Sequence, residues 1–135
     1  NNNKLSHGAV VVYGHEKTVS KVAWSPCGRV FATASHDGTI RVTRAHDLHL
    51  CAILGDAISN TKVMEVIFSP DASSIISLSD DHALRSWSVR SALEGTMGPI
   101  GMLESILPVN GGKIAWSSVS GDDLLSTEPE QPLRD

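Results

Sequence analysis

Aromatic residues are scarce in this chain: two Phe, one Tyr and three Trp make up 4% of its 135 residues. A core must therefore rest on Val, Ile, Leu and Ala. Cysteine is nearly absent, and Cys27 and Cys51 show neither C-x-x-C spacing nor a flanking ligand pattern. That argues against a disulfide framework or a zinc site, and two reduced thiols fit a cytoplasmic or nuclear protein. No Asn-x-Ser/Thr sequon is present, in keeping with that setting. No run approaches the ~18 apolar residues of a membrane helix, and "GAVVVYG", residues 8–14, falls well short. Basic clusters are missing too. Residues 1–50 carry six Lys/Arg against three Asp/Glu, the remainder five against twelve, and the net charge is −4. Nucleic-acid binding needs clustered Lys/Arg, so that partner is disfavoured. "MGPIGM" and "NGGK" lack the strand–helix setting of a phosphate loop, and no long helix is readable. Rossmann and P-loop folds are thereby excluded, and no cofactor is implied. The start at Asn1, without methionine or signal peptide, reads as a processed product or a piece of a longer chain.

What is present is enough for a globular unit: 41% hydrophobic and 19% charged residues suit one domain of ordinary size. Its organisation is an internal repeat. "VAWSPCGRVFATASHDGTIRVTR", residues 22–44, aligns without a gap on "VIFSPDASSIISLSDDHALRSWS", residues 66–88. Val22 meets Val66, Trp24 meets Phe68, and Ser25-Pro26 meets Ser69-Pro70. Ser35, Asp37, Ile40 and Arg41 fall on Ser79, Asp81, Leu84 and Arg85, and Thr43 falls on Trp87.

Each unit reads as short strands with punctuation. "KVAW" alternates and stops at Ser-Pro, where proline offers no ladder donor. "RVFATAS" is a second strand, "HDG" a turn, and "TIRVT" a third strand running back. "LHLCAIL" and "GAVVVYG" read as outer fourth strands. The predicted fold class is all-β: an incomplete β-propeller of four-stranded antiparallel blades, about two blades plus part of a third. Ser35, His36 and Asp37 stand side by side, but adjacency does not make a catalytic triad. Ser35 and His36 would project from opposite faces of a pleated strand, and Asp37 enters the turn.

The two units resemble the WD-repeat β-propeller family. The resemblance rests on Gly14-His15, Trp24-Ser25-Pro26, Ser35-x-Asp37-Gly38 and Ile40-Arg41-Val42 in the first unit. In the second it rests on Phe68-Ser69-Pro70-Asp71, Ser79-x-Asp81 and Leu84-Arg85-Ser86-Trp87-Ser88. It implies a structural tetrad in which His15 bonds Asp37, with Ser35 and a strand-end tryptophan completing a buried chain, and Ser79, Asp81 and Trp87 repeating the theme. It also implies a partner-binding rim, which by position is Thr18, Ser20 and His36 in the first unit and Lys62, Met64 and Asp80 in the second. The implied function is a non-enzymatic scaffold for contacts with other proteins, intracellular and without membrane contact. An alternative is the sensor arc of a larger signalling ATPase. A third reading, hydrolysis at His36 or His82, would require a concave site built around a shifted histidine.

Departures from the family pattern are expected to matter. Thr43 stands where the tryptophan belongs, so the first tetrad lacks its last member and should leave space or demand repacking. In the second unit Gly55-Asp56 stands where Gly-His belongs, and the loop before the strand is longer by three residues. A fainter third unit is laid over residues 104–125, with Leu107-Pro108 near the Ser-Pro turn, Asn110-Gly111-Gly112 as a hairpin, Lys113 to Ser118 as the second strand, and Ser120 in the aspartate position. The expected organisation is a lead at 1–8, a partial propeller at 9–125, and an acidic, proline-containing tail at 126–135. His46 and His49 fall on a loop, which disfavours a metal pair. Propellers close with about 4–8 blades. The missing blades would then come from a longer parent chain or from copies of this one.

Overall fold

A computed structural model of the chain describes residues 9, 11–55, 60–90, 102–109, 114–116 and 125–127. Eight strands form two four-stranded antiparallel sheets in simple sequential order. The first holds β1 (Val19–Trp24), β2 (Val30–Ser35), β3 (Thr39–Arg44) and β4 (Leu50–Gly55). The second holds β5 (Val63–Phe68), β6 (Ser74–Ser79), β7 (Ala83–Ser88) and β8 (Met102–Pro108). The all-β, unclosed architecture of propeller blades is therefore present.

The repeat extends to fine geometry. β1 is interrupted at Ser20 and β5 at Met64, bulges that fall at equivalent places. The pairings of β3 with β4 and of β7 with β8 shift at equivalent places as well. Each β2–β3-type turn is closed by a main-chain bond, Gly38 N–H to Ser35 C=O in one and His82 N–H to Ser79 C=O in the other. The residue completing each turn has positive φ, 89° at Gly38 and 63° at His82.

Alternation along the strands assigns two faces to each sheet. On the first sheet Val30, Ala32, Ala34, Ile40, Val42, Ala52 and Leu54 point one way and are buried. They pack on Val66, Phe68, Ile75 and Trp87 of the second sheet, forming one cluster across the seam. Small alanines on one side and large rings on the other interdigitate, which is how so few aromatics suffice. The opposite face of the second sheet gathers Ile76, Leu78 and Leu84 around Ile114.

Three expectations are corrected. The lead "GAVVVYG" was expected as an outer strand, yet residues 11–14 pair with no strand, and Val11, Val12 and Tyr13 are exposed. A fourth strand needs the third strand of its own blade beside it, and no such strand lies next to this segment among the described residues. Residues 104–107 were expected to begin the third unit, but they lie in β8 and close the second sheet against β7. The expected second strand at Lys113–Ser118 is also reassigned. β9 (Ile114–Trp116) pairs with β10 (Leu125–Thr127) through Trp116 opposite Leu125, as β1 pairs with β2 through Trp24 opposite Phe31. "KIAW" thus repeats "KVAW" and opens a third blade. β10 runs two residues past the expected start of the tail at 126. The lead at 1–8, the 110–112 hairpin, Ser120, Asp56 and the tail from 128 lie outside the described residues.

Candidate functional site

Asp37 collects the polar contacts of the first blade. Its Oδ2 accepts from His15 Nδ1 at 3.1 Å and from the Glu16 amide at 3.0 Å. Its Oδ1 accepts from the Thr39 amide at 2.9 Å and the Thr39 hydroxyl at 2.6 Å. Burial alone would push the carboxyl's pKa up. The Thr39 hydroxyl, the Glu16 and Thr39 amides and His15 outweigh it and hold it well below the usual carboxylate range. The other edge of the His15 ring meets Thr33, with Nε2 2.8 Å from Oγ1. The structure thus brings His15 and Asp37 together, but the hydroxyl on the imidazole belongs to Thr33 rather than Ser35. Ser35 lies two residues further along the strand, about 6.6 Å away. It accepts from the Asp37 amide at 3.0 Å and donates to the Lys17 carbonyl at 3.3 Å, holding the turn and the incoming chain.

In the second blade the same offset recurs. Trp87 Nε1 donates to Ser77 Oγ at 3.0 Å, and Ser79 is buried nearer the turn. Asp81 is exposed and faces no histidine among the described residues. Arg85 takes its place, reaching Asp81 at 2.7 and 3.2 Å. That pairing, led by the Arg85 hydrogen bonds, lowers the Asp81 pKa and raises that of Arg85. Sequence reasoning missed Thr33 and Ser77 because both hydroxyls in each strand sit on one face. Thr43 is buried, and a crevice of about 110 Å³ lies beside it, as one of about 200 Å³ lies beside Trp87 in the second blade.

The six rim residues converge at one end of the two sheets. The His36 amide donates to the Thr18 carbonyl at 2.8 Å, and the Asp80 amide to the Lys62 carbonyl at 2.9 Å. Asp80 Oδ1 accepts from the Lys62 amide at 2.9 Å. Ser20 differs from the others: its hydroxyl reaches Ala34 O and Val63 O, which ties the first blade to the second. Thr18, Lys62, Met64 and Asp80 stay exposed, and His36 is half-buried.

Neither His36 nor His82 makes a side-chain hydrogen bond among the described residues, so no acid–base dyad is assembled at either. His46 and His49 stay on the β3–β4 loop, where Arg44 grips Asp47 at 2.7 and 2.9 Å. Among the described residues no three His, Cys, Asp or Glu gather in a metal-holding arrangement, and no helix is long and apolar enough to cross a membrane.

Residues 9–43 match the family model for the WD domain, G-beta repeat. WD repeat-containing protein 1 of Gallus gallus is 34% identical over 130 residues, covering 89% of this chain and 21% of that protein. Actin-interacting protein 1 of Drosophila melanogaster is 29% identical over 126 residues, again 89% and 21%. The chain therefore spans about a fifth of the length of these relatives. Among solved structures, Kluyveromyces lactis Hsv2p superposes with a TM-score of 0.55 at 29% identity, covering 63% of this chain and 27% of that one. With the matched repeat, these relatives and the blade geometry in agreement, the chain belongs to the WD-repeat β-propeller family.

Proposed function

We propose that the chain is a non-enzymatic platform for binding another protein, working as consecutive blades of a larger WD-repeat ring. WD repeats generally mediate protein–protein contact. What carries the reading here is the rim formed by Thr18, His36, Lys62, Met64 and Asp80. Its main chain is pinned by amide hydrogen bonds across each blade while the side chains of Thr18, Lys62, Met64 and Asp80 stay exposed. Such a surface loses little entropy on binding, which favours affinity. Met64, on a bulge, offers an apolar anchor between a cation and a carboxylate.

The open face of the first sheet supports the ring. Val22, Trp24, Phe31 and Thr43 occupy the places at which Val66, Phe68, Ile75 and Trp87 contact the preceding blade. A further blade ahead of β1 would cover them in the same way.

Actin is the partner to test first, because a relative aligned along 89% of the chain is named for interacting with it. The experiment is co-sedimentation with actin filaments, comparing the wild-type chain with a Lys62→Glu/Met64→Ala variant. Pelleting that the rim variant loses supports the reading. Pelleting that survives moves the contact off the rim, and no pelleting removes actin as the partner.

A further inference from the structure

β1, β3 and β7 all start at the rim end of the sheets, so the β1–β2 turn, the end of β3 and the end of β7 lie at the opposite end. Between the two blades there runs a groove of about 430 Å³. Arg29 and Arg44 of the first blade and Arg90, just after β7, line it, and Val30 and Ala72 supply an apolar wall. The lining comes from both blades of this chain, so the groove persists when a further blade packs on the open face of either sheet.

Three guanidiniums stand against one carboxylate on this lining, that of Asp71. Asp71 is taken up by its own turn. Its Oδ1 accepts from the Ser69 hydroxyl at 2.8 Å and from the Ser73 amide at 3.0 Å, and its Oδ2 lies 3.9 Å from Arg90 Nη2. Arg44 grips Asp47 through Nε and Nη2, which leaves Nη1 outside that fork. Arg29 is exposed and meets no carboxylate among the described residues. The repeat supplies an internal control. Ser73 and Ser88 stand where Arg29 and Arg44 stand, and the second blade forms the same turn and the same strand end with them. The blade fold therefore requires neither arginine.

We propose that this groove binds an acidic, extended peptide segment of a partner protein, its carboxylates pairing with Arg29 and Arg44 beside the wall of Val30 and Ala72. Arginines already paired in this chain, Arg44 with Asp47 and Arg85 with Asp81, each hold a carboxylate through two nitrogens. That is the planar fork that guanidinium and carboxylate share. The chain as a whole carries a net charge of −4. An acidic peptide is thus repelled by the surface at large, and its binding reports a local basic patch. Groove and rim lie at opposite ends, so the groove contact does not depend on what the rim binds.

The test is fluorescence anisotropy of a labelled hexaglutamate peptide titrated with the full chain, alongside labelled hexaglutamine and a short labelled oligothymidylate. Wild type should bind hexaglutamate saturably and more tightly than either control. Arg29→Ser/Arg44→Ser, which installs the residues of the second blade, should weaken hexaglutamate about tenfold. Met64→Ala at the rim should leave it unchanged. In wild type, hexaglutamate should also slow alkylation of Cys27, whose exposed thiol lines the groove, a readout that needs no variant. No saturable binding, binding indifferent to the double serine variant or lost in Met64→Ala, hexaglutamine bound as tightly, or an unprotected Cys27 would each overturn the proposal. Tighter binding of the oligothymidylate would overturn the assignment of a peptide.

Discussion

Asp37 and Asp81 hold equivalent places in the two repeats but live in different surroundings. Asp37 is buried under four hydrogen-bond donor contacts, including His15, whereas Asp81 is exposed and gripped by Arg85. Loss of a buried, charged partner leaves several donors unsatisfied, so Asp37→Asn should destabilise the fold by about 2–3 kcal/mol. Asp81→Asn removes an exposed pair and should change stability by less than about 1 kcal/mol. Urea unfolding of both variants checks the contrast, and equal losses would refute it. The pH dependence has a definite sign. The folded pKa of Asp37 lies below its unfolded value of about 3.9, so its contribution is complete above that value. It is lost as pH falls below about 4 towards the folded pKa. An acid titration of stability should accordingly be shallower in Asp37→Asn than in wild type. The His15–Asp37 pair was legible from the Gly-His and Asp-Gly signatures. Thr33 was not, because residues 33 and 35 share one face of β2 and only distance to the imidazole separates them.

At the level of elements, equivalent turns are built with unequal residues. Gly28 and Gly38 take positive φ in the first blade, 77° and 89°, where Ala72 and His82 are forced to 63° in the second. A side chain in the left-handed region costs about 1–2 kcal/mol, and glycine avoids that at some entropic cost. His82→Gly should therefore raise stability by about 1 kcal/mol, read from the shift in denaturation midpoint. No gain would mean that the turn relaxes its strain elsewhere. The strand-end position inverts the comparison: Trp87 is well placed in the second blade and Thr43 is not in the first. Trp87→Ala should cost about 3–5 kcal/mol, and Thr43→Trp should add about 0.5–2 kcal/mol as a cavity-filling change. The strands of residues 19–88 were readable because proline, glycine and two-residue alternation mark each end. β8 was not, since Leu107-Pro108 imitates the Ser-Pro turn while "KIAW", the true repeat of "KVAW", comes only five residues after it.

For the molecule as a whole, one pair of comparisons separates what folds the chain from what its neighbours must supply. Val66 is 0% and Phe68 6% exposed in the seam between blades, while Val22 and Trp24, their equivalents, are 51% and 58% exposed. The two sets have the same chemistry and the same register, so the difference arises only from whether a blade lies in front of them. Exposed apolar sheet faces of this kind favour self-association. Trp24→Lys should consequently reduce the mass seen by light scattering after size exclusion, with little change in the stability of the monomer. Phe68→Lys should unfold the chain, because it buries an unpaired charge in the central cluster. If Trp24→Lys associates as readily as wild type, the open face is not the contact surface, and the inference that a further blade belongs there loses its main support. If it yields a folded monomer, the surface that drives association in isolation is the one a preceding blade would cover in a ring, and the rim at the end of the sheets remains free for a partner.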